Sequence, residues 1–191
     1  MYPKLPELIK YLKSLEATKS IFLVTNGQEP DMIQKLQDED ALPTQLYLST
    51  NAADYESFIK INKPKYDDSW ERWNRTLDML KNLDTRTVLR ITLIRDYNDQ
   101  KEMIPAFADM FRKASPHFIE IKSYMHIGRS TNRLEHENML EMHEVKRFSE
   151  QIAKQSKIFS VMDESLVSRI SILQNNERFI DRYIPTYANT N

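Results

Sequence analysis

Cysteine is absent from the 191 residues. Disulfides, thiolate metal sites and cysteine nucleophiles are excluded together. An iron–sulfur cluster, ordinarily held by thiolates, finds no ligands in this chain. Glycine is almost as scarce, with only Gly27 and Gly128. Neither the glycine-rich phosphate loop nor the dinucleotide fingerprint can be built from two isolated glycines. Charge of one sign is missing too: the net value at pH 7 is −1, which argues against nucleic-acid binding by bulk charge and leaves room for a local basic patch. No run approaches the roughly 18 apolar residues of a membrane span, and the amino terminus lacks a signal-peptide pattern. The chain reads as soluble and cytoplasmic.

What is present is an alternation of short apolar runs with helix-like stretches. Hydrophobic residues make up 40% of the chain, enough for one core. One α/β domain is expected over residues 1–184, with a flexible tail at 185–191. Leu5, Leu8, Ile9, Leu12 and Leu15 recur at helical spacing. A strand is expected over 20–25, a helix over 30–37, a strand over 44–50 and a short helix over 54–61. Lys63-Pro64-Lys65-Tyr66 breaks the pattern before a helix over 67–83. Then come a strand at 86–94, a helix at 100–113, a strand at 118–125 and a polar loop at 128–140. A helix at 142–154 and strands at 158–162 and 167–173 complete the order. Strands alternating with helices indicate a mostly parallel sheet. The chain opens on a helix with no strand before it, so the architecture reads as a partial βα barrel truncated at its amino end.

Four of these strands end in polar side chains, at Thr25-Asn26, Ser49-Thr50, Thr92 and Lys122-Ser123. The carboxyl ends of parallel strands share one rim, where such folds bind ligands. Side chains alternate across a strand: Leu46 and Leu48 oppose Gln45, Tyr47 and Ser49; Leu89 and Ile91 oppose Arg90 and Thr92; Ile119 and Ile121 oppose Glu120 and Lys122. One face suits packing under helices and the other suits a hydrated lumen. Arg90, Glu120 and Lys122 together could hold a small anionic or zwitterionic molecule, while Arg90 and Glu120 could equally form a structural ion pair. The four histidines match no common zinc spacing, and no protein metal site is expected. Trp70 and Trp73, three residues apart, read first as the core stripe of a helix and second as a base-stacking pair. Arg129, Arg133, Lys146 and Arg147 form a loose basic group, readable as a phosphate-facing patch or as ordinary solvated surface.

Several blocks in fixed order resemble one family. They are Tyr2-Pro3-Lys4-Leu5-Pro6-Glu7-Leu8-Ile9, Phe22-Leu23-Val24-Thr25-Asn26-Gly27-Gln28-Glu29-Pro30, Thr44-Gln45-Leu46-Tyr47-Leu48-Ser49, Asp68-Ser69-Trp70-Glu71-Arg72-Trp73, Arg86-Thr87-Val88-Leu89-Arg90-Ile91-Thr92-Leu93 and Phe118-Ile119-Glu120-Ile121-Lys122. His143-Glu144-Val145 follows, and the likeness covers about residues 2–173. The chain is similar to the carboxyl-terminal portion of the radical S-adenosylmethionine enzymes that make 4-demethylwyosine, the tricyclic base of the wybutosine route in phenylalanine tRNA. That family's cluster cysteines, spaced C-x3-C-x2-C, and its proposed pyruvate-engaging lysine lie before the matched region. Its usual Ser-Val-Asp-Ala stands here as Ser49-Thr50-Asn51-Ala52.

The resemblance implies a lyase of the radical type. A [4Fe–4S] cluster and S-adenosylmethionine would drive condensation of a pyruvate-derived two-carbon unit with N1-methylguanosine in tRNA. By position, Ser49 and Asn51 would meet the cofactor ribose and Arg90 its methionyl carboxylate, with Thr25 and Asn26 where the third family strand approaches the cofactor. Lys122, His143 and Glu144 would face the substrate side. Without cluster ligands the chain alone is expected to be inactive. The alternatives are a non-catalytic tRNA-binding or scaffolding module and a radical enzyme with another substrate.

Overall fold

The computed structural model describes residues 1–184; the expected tail at 185–191 lies outside the described residues. Its six strands form one open sheet in the order β1-β2-β3-β4-β6-β5. β1 (Phe22–Thr25), β2 (Gln45–Ser49), β3 (Arg86–Leu93) and β4 (Phe118–Ser123) are mutually parallel. The register is set by the apolar alternation: Leu48 pairs with Leu89, and Leu89 with Ile119, so these side chains stack on one face. A slip of one residue would send them all to the opposite side.

Helices α1 (Leu5–Lys13), α2 (Pro30–Asp38), α3 (Tyr55–Asn62), α4 (Ser69–Met79), α5 (Ile104–Ala114) and α6 (Met142–Ser156) supply the connections. Their buried residues, including Ile9, Ile33, Leu36, Leu77, Phe107, Phe111, Val145 and Ile152, join Leu46, Leu48, Leu89, Ile91, Ile119 and Ile121 in a continuous core. α1, α2 and α5 each carry a proline in the first turn, where a missing N–H is harmless. α3 is capped by Asp54, whose carboxylate accepts from the Ser57 N–H at 2.8 Å. The scarcity of glycine shows at the carboxyl ends. α3, α5 and α6 stop on left-handed Lys63, Ser115 and Lys157 where glycine is usual.

Two expectations need correction. The last two strands, β5 (Phe159–Ser165) and β6 (Ile170–Asn175), form an antiparallel hairpin, and β6 also runs antiparallel to β4. Four residues between them allow a turn and no crossover. Val167, expected to open the final strand, sits at the tip of that turn and is 93% exposed. Its β-branched chemistry imitates a strand start that the left-handed Arg169 at φ 49° forbids. The helix expected over 67–83 is shorter and finishes in a 3-10 turn, Leu80–Asn82. Among the described residues no helix is long and apolar enough to cross a membrane.

Candidate functional site

The carboxyl ends of β1 and β2 open into a cavity of about 820 Å³. Thr25, Asn26, Ser49 and Asn51 all line it, joined by Gln28 and Trp73. The chain turns sharply after β1 because Gly27 adopts φ +77°. Thr25 Oγ1 accepts from the Gly27 N–H at 3.0 Å, and Asn26 Oδ1 accepts from the Gln28 N–H at 3.3 Å. These local side-chain bonds fix the loop and leave α2 starting immediately behind it. Thr76 Oγ1 donates to the Gly27 carbonyl at 2.8 Å, tying the loop to α4.

Trp73 is both core and cavity wall. It is 2% exposed, stacks on Trp70 with ring centroids 5.3 Å apart and donates its indole N–H to the Ser49 carbonyl at 3.1 Å. The Ser49 main chain is therefore spoken for, while no hydrogen bond from its hydroxyl occurs among the described residues. Asn51 is held from two sides. Its Oδ1 accepts from the Thr92 N–H at 3.0 Å, and the buried amide of Asn98 donates to its carbonyl at 2.9 Å. Gln28 donates from Nε2 to the Ser69 carbonyl at 3.1 Å. Its Oε1 is buried and has no hydrogen-bond partner among the described residues.

The other four residues of interest lie elsewhere. Arg90 is the cross-strand partner of both Ser49 and Glu120, yet its guanidinium turns toward Glu120, with Nε to Oε1 at 2.7 Å, and lies 4.7 Å over the Tyr47 ring. Only Nε is engaged among the described residues, so the two Nη groups keep their donors. Burial, then the neighbouring Glu120 carboxylate, pushes the Tyr47 hydroxyl up to about 12. It stays protonated. Lys122 is half-buried on the same lumen face, one strand further from the cavity, paired in register with Thr92 and Ile170.

His143 is exposed at the start of α6. Glu144 is clamped by Arg95, Nη1 and Nη2 each 2.7 Å from a carboxylate oxygen, and also accepts from the Glu141 N–H at 2.8 Å. The Arg95 hydrogen bond, foremost, brings the Glu144 carboxyl down to about 2. Arg95 reaches the Met139 and Glu137 carbonyls as well. This knot secures the 128–140 loop to β3 and α6. Both oxygens of Glu144 serve that purpose.

Sequence reasoning passed over Gln28 and the 62–66 segment, which also lines the cavity. The only available signals were their places directly after Gly27 and inside a broken helical pattern. The basic group also divides: Lys146 pairs with Glu164 at 3.3 Å, while Arg133 stands in the loop beside the end of α3. Among the described residues no cluster of three histidine, aspartate or glutamate side chains could hold a metal ion.

An open, mostly parallel sheet with a polar lumen face and a hollow at its strand tips defines a half-barrel, a form whose rim is where such folds bind ligands. Comparison with known proteins identifies its relatives. Residues 113–175 match the family model described as wyosine base formation. The S-adenosyl-L-methionine-dependent tRNA 4-demethylwyosine synthase of Methanocaldococcus jannaschii is 40% identical over 183 residues, covering 95% of this chain and 54% of that protein. Its Pyrococcus abyssi counterpart is 35% identical over 177 residues, covering 93% and 51%. The solved structure of TYW1 with a lysine–pyruvate adduct bound superposes with a TM-score of 0.81 at 40% identity, over 94% of this chain and 54% of that one. The chain belongs to the tRNA 4-demethylwyosine synthase family and spans about half the length of the curated relatives it matches.

Proposed function

We propose that this chain forms the part of a 4-demethylwyosine-forming enzyme that holds S-adenosylmethionine and positions a tRNA base against it. One observation carries this most directly: Thr25, Asn26, Gln28, Ser49 and Asn51 line a single cavity at the tips of β1 and β2. A rim of hydroxyl and amide side chains suits the amino and hydroxyl groups of an adenosine. Ser49 and Asn51 stand on the same rim as ribose partners, and Thr25 and Asn26 shape the floor of the loop. Arg90 lies outside the cavity lining but pairs across the strands with Ser49, and the Nη donors that Glu120 leaves free are assigned to a carboxylate extending past the rim.

The [4Fe–4S] cluster implied by the resemblance does not fit this chain's own donors, since it has no cysteine. What these residues do is bind, orient and exclude water. S-adenosylmethionine fits them, and when bound it supplies an activated sulfonium. The reaction proposed is condensation of a pyruvate-derived two-carbon unit with N1-methylguanosine in tRNA; relatives named S-adenosyl-L-methionine-dependent tRNA 4-demethylwyosine synthase support it.

Calorimetric titration of the chain with S-adenosylmethionine tests the reading. Saturable binding is expected, weakened roughly fivefold to tenfold by Ser49→Ala, the equivalent of about 1–1.4 kcal/mol for one hydrogen bond. No binding by the parent chain would refute it.

A further inference from the structure

A second, smaller hollow of about 80 Å³ lies beside the cavity, between the end of α3 and the loop after β4. Lys60, Lys63 and Arg133 surround it, and Lys63 lines the large cavity too. Lys65 adds a fourth cation on the cavity rim. Fewer than half of the 27 lysines and arginines pair with a carboxylate among the described residues, Lys10, Lys35, Arg72, Arg75, Arg95, Lys113 and Lys146 among them. Lys60, Lys63, Lys65 and Arg133 form no ion pair among the described residues. Glu56, one helical turn before Lys60, forms none either. Lysines at the end of α3 complement the helix dipole, but that does not bring Arg133 across from a loop some seventy residues away.

The arrangement is also held in place. Ile94, Tyr124 and Leu134 pack as a small buried cluster with Ile61, Tyr97 and Met139 against it. That apolar floor docks the 128–134 turn onto α3. Lys60 Nζ sits 4.9 Å over the Tyr97 ring, which fixes the cation on an aromatic face. Lys63 is the left-handed cap of α3 at φ 46°. Converging cations on a fixed platform, without internal counter-charges, suit phosphate oxygens.

We propose that this cleft is a phosphate clamp for the RNA backbone, and that Lys63, common to both hollows, marks the path by which one base leaves the strand for the cavity. The polynucleotide's identity rests on the reading above, whereas the clamp is a separate physical claim. RNA is favoured over an acidic protein because the clamp adjoins a cavity of nucleotide size, with exposed Tyr66 on its wall to stack a base.

The test is fluorescence anisotropy of an unmodified tRNA transcript titrated with the chain across a salt series, comparing Lys60→Gln/Arg133→Gln with the parent. Each lost duplex phosphate contact lowers the salt slope by about 0.9, so the double variant should lose about 1.8. Between 1 M and 0.1 M salt that amounts to roughly sixtyfold weaker binding at the lower concentration. Lys60→Arg/Arg133→Lys should bind as the parent does, and Lys81→Gln/Lys154→Gln, remote exposed lysines, should change little. Should the double variant melt early, Lys63→Gln alone carries the comparison, with a slope change of about 0.9. Parental binding by the double variant, equal losses in the remote pair, or no RNA binding by the parent would each overturn the clamp. Clamp-dependent RNA binding without S-adenosylmethionine binding would instead sink the functional reading and leave the clamp standing.

Discussion

Replacing Gly27 with alanine separates two kinds of strain at the cavity loop. An added Cβ would lie 2.8 Å from Leu48 Cδ1 and 2.9 Å from Trp73 Cδ1. Both neighbours are fully packed core side chains, so neither can swing away as a surface residue would. The backbone at φ +77° adds about 1–2 kcal/mol for any L side chain, and overpacking adds about 1–3 kcal/mol. Gly27→Ala should therefore destabilise by about 3 kcal/mol and lower Tm by roughly 6–12 °C for a domain of this size. Gly128→Ala is the internal control, with φ +63° and no atom within 4 Å of its added Cβ. It should lose only the conformational part, about 1 kcal/mol. Urea unfolding followed by tryptophan fluorescence measures both, with equal m-values expected. Equal losses for the two variants would refute the claim that Leu48 and Trp73 crowd the loop.

Three further perturbations follow from the polar contacts. Arg90→Ala leaves Glu120, 8% exposed, without its cation; a loss of about 3 kcal/mol is expected in urea unfolding, with part recovered in Arg90→Ala/Glu120→Ala. Additive losses in that double variant would mean that the pair is not coupled. Glu144 has its pKa depressed to about 2 by Arg95, so its contribution is complete above the ordinary value near 4.5 and disappears as pH falls through about 2. Glu144→Gln should cost about 1–2 kcal/mol at neutral pH, with the gap to the parent closing in acid; a gap that persists at pH 2 would contradict this. Burial, with Arg178 and Arg86 nearby, holds the His117 ring down to about 4, and its Nδ1 accepts from the Thr87 N–H at 3.1 Å. The unfolded chain binds that proton first, so stability should fall as pH drops from about 6.5 toward 4. The half-exposed ring limits the loss to about 1–2 kcal/mol, and His117→Gln should flatten the profile in that window; an unchanged slope would show that another group titrates there.

The parallel half of the sheet was legible because its strands alternate strongly: Leu46 and Leu48, Leu89 and Ile91, Ile119 and Ile121 each mark a buried face. The carboxyl-terminal hairpin was less so. Leu166 and Val167 are apolar but exposed in the turn, and hydropathy alone cannot distinguish a turn from a strand start. At the site, sequence placed polar residues at the strand tips but could not say which tips converge. The cavity gathers Thr25, Asn26, Ser49 and Asn51 from β1 and β2. Lys122 stays on the lumen face and Glu144 is absorbed by Arg95, because partner choice follows register and loop docking. Gln28 was invisible for a similar reason. An amide after a glycine reads as solvent-facing, and only the packing of α4 buries it.

The contacts that make the cavity are the same ones that close the core. Trp73 fills space between Leu48 and Gly27 and at the same time fixes the Ser49 main chain from α4. Asn51 shapes the rim while satisfying the Thr92 N–H at the end of β3, and Asn98 locks both through its buried amide. Thr25 and Asn26 are held by main-chain N–H groups of their own loop and Asn51 by the Thr92 N–H on β3, so most of this wall is assembled before a ligand arrives. A ligand entering the cavity therefore meets a largely preorganised surface, and little of its binding energy goes into ordering the protein. It binds the folded state alone, so binding and global stability must rise together. Catalysis in such a fold asks the scaffold for position, and position is what the shared Gly27–Trp73–Ser49 contacts provide.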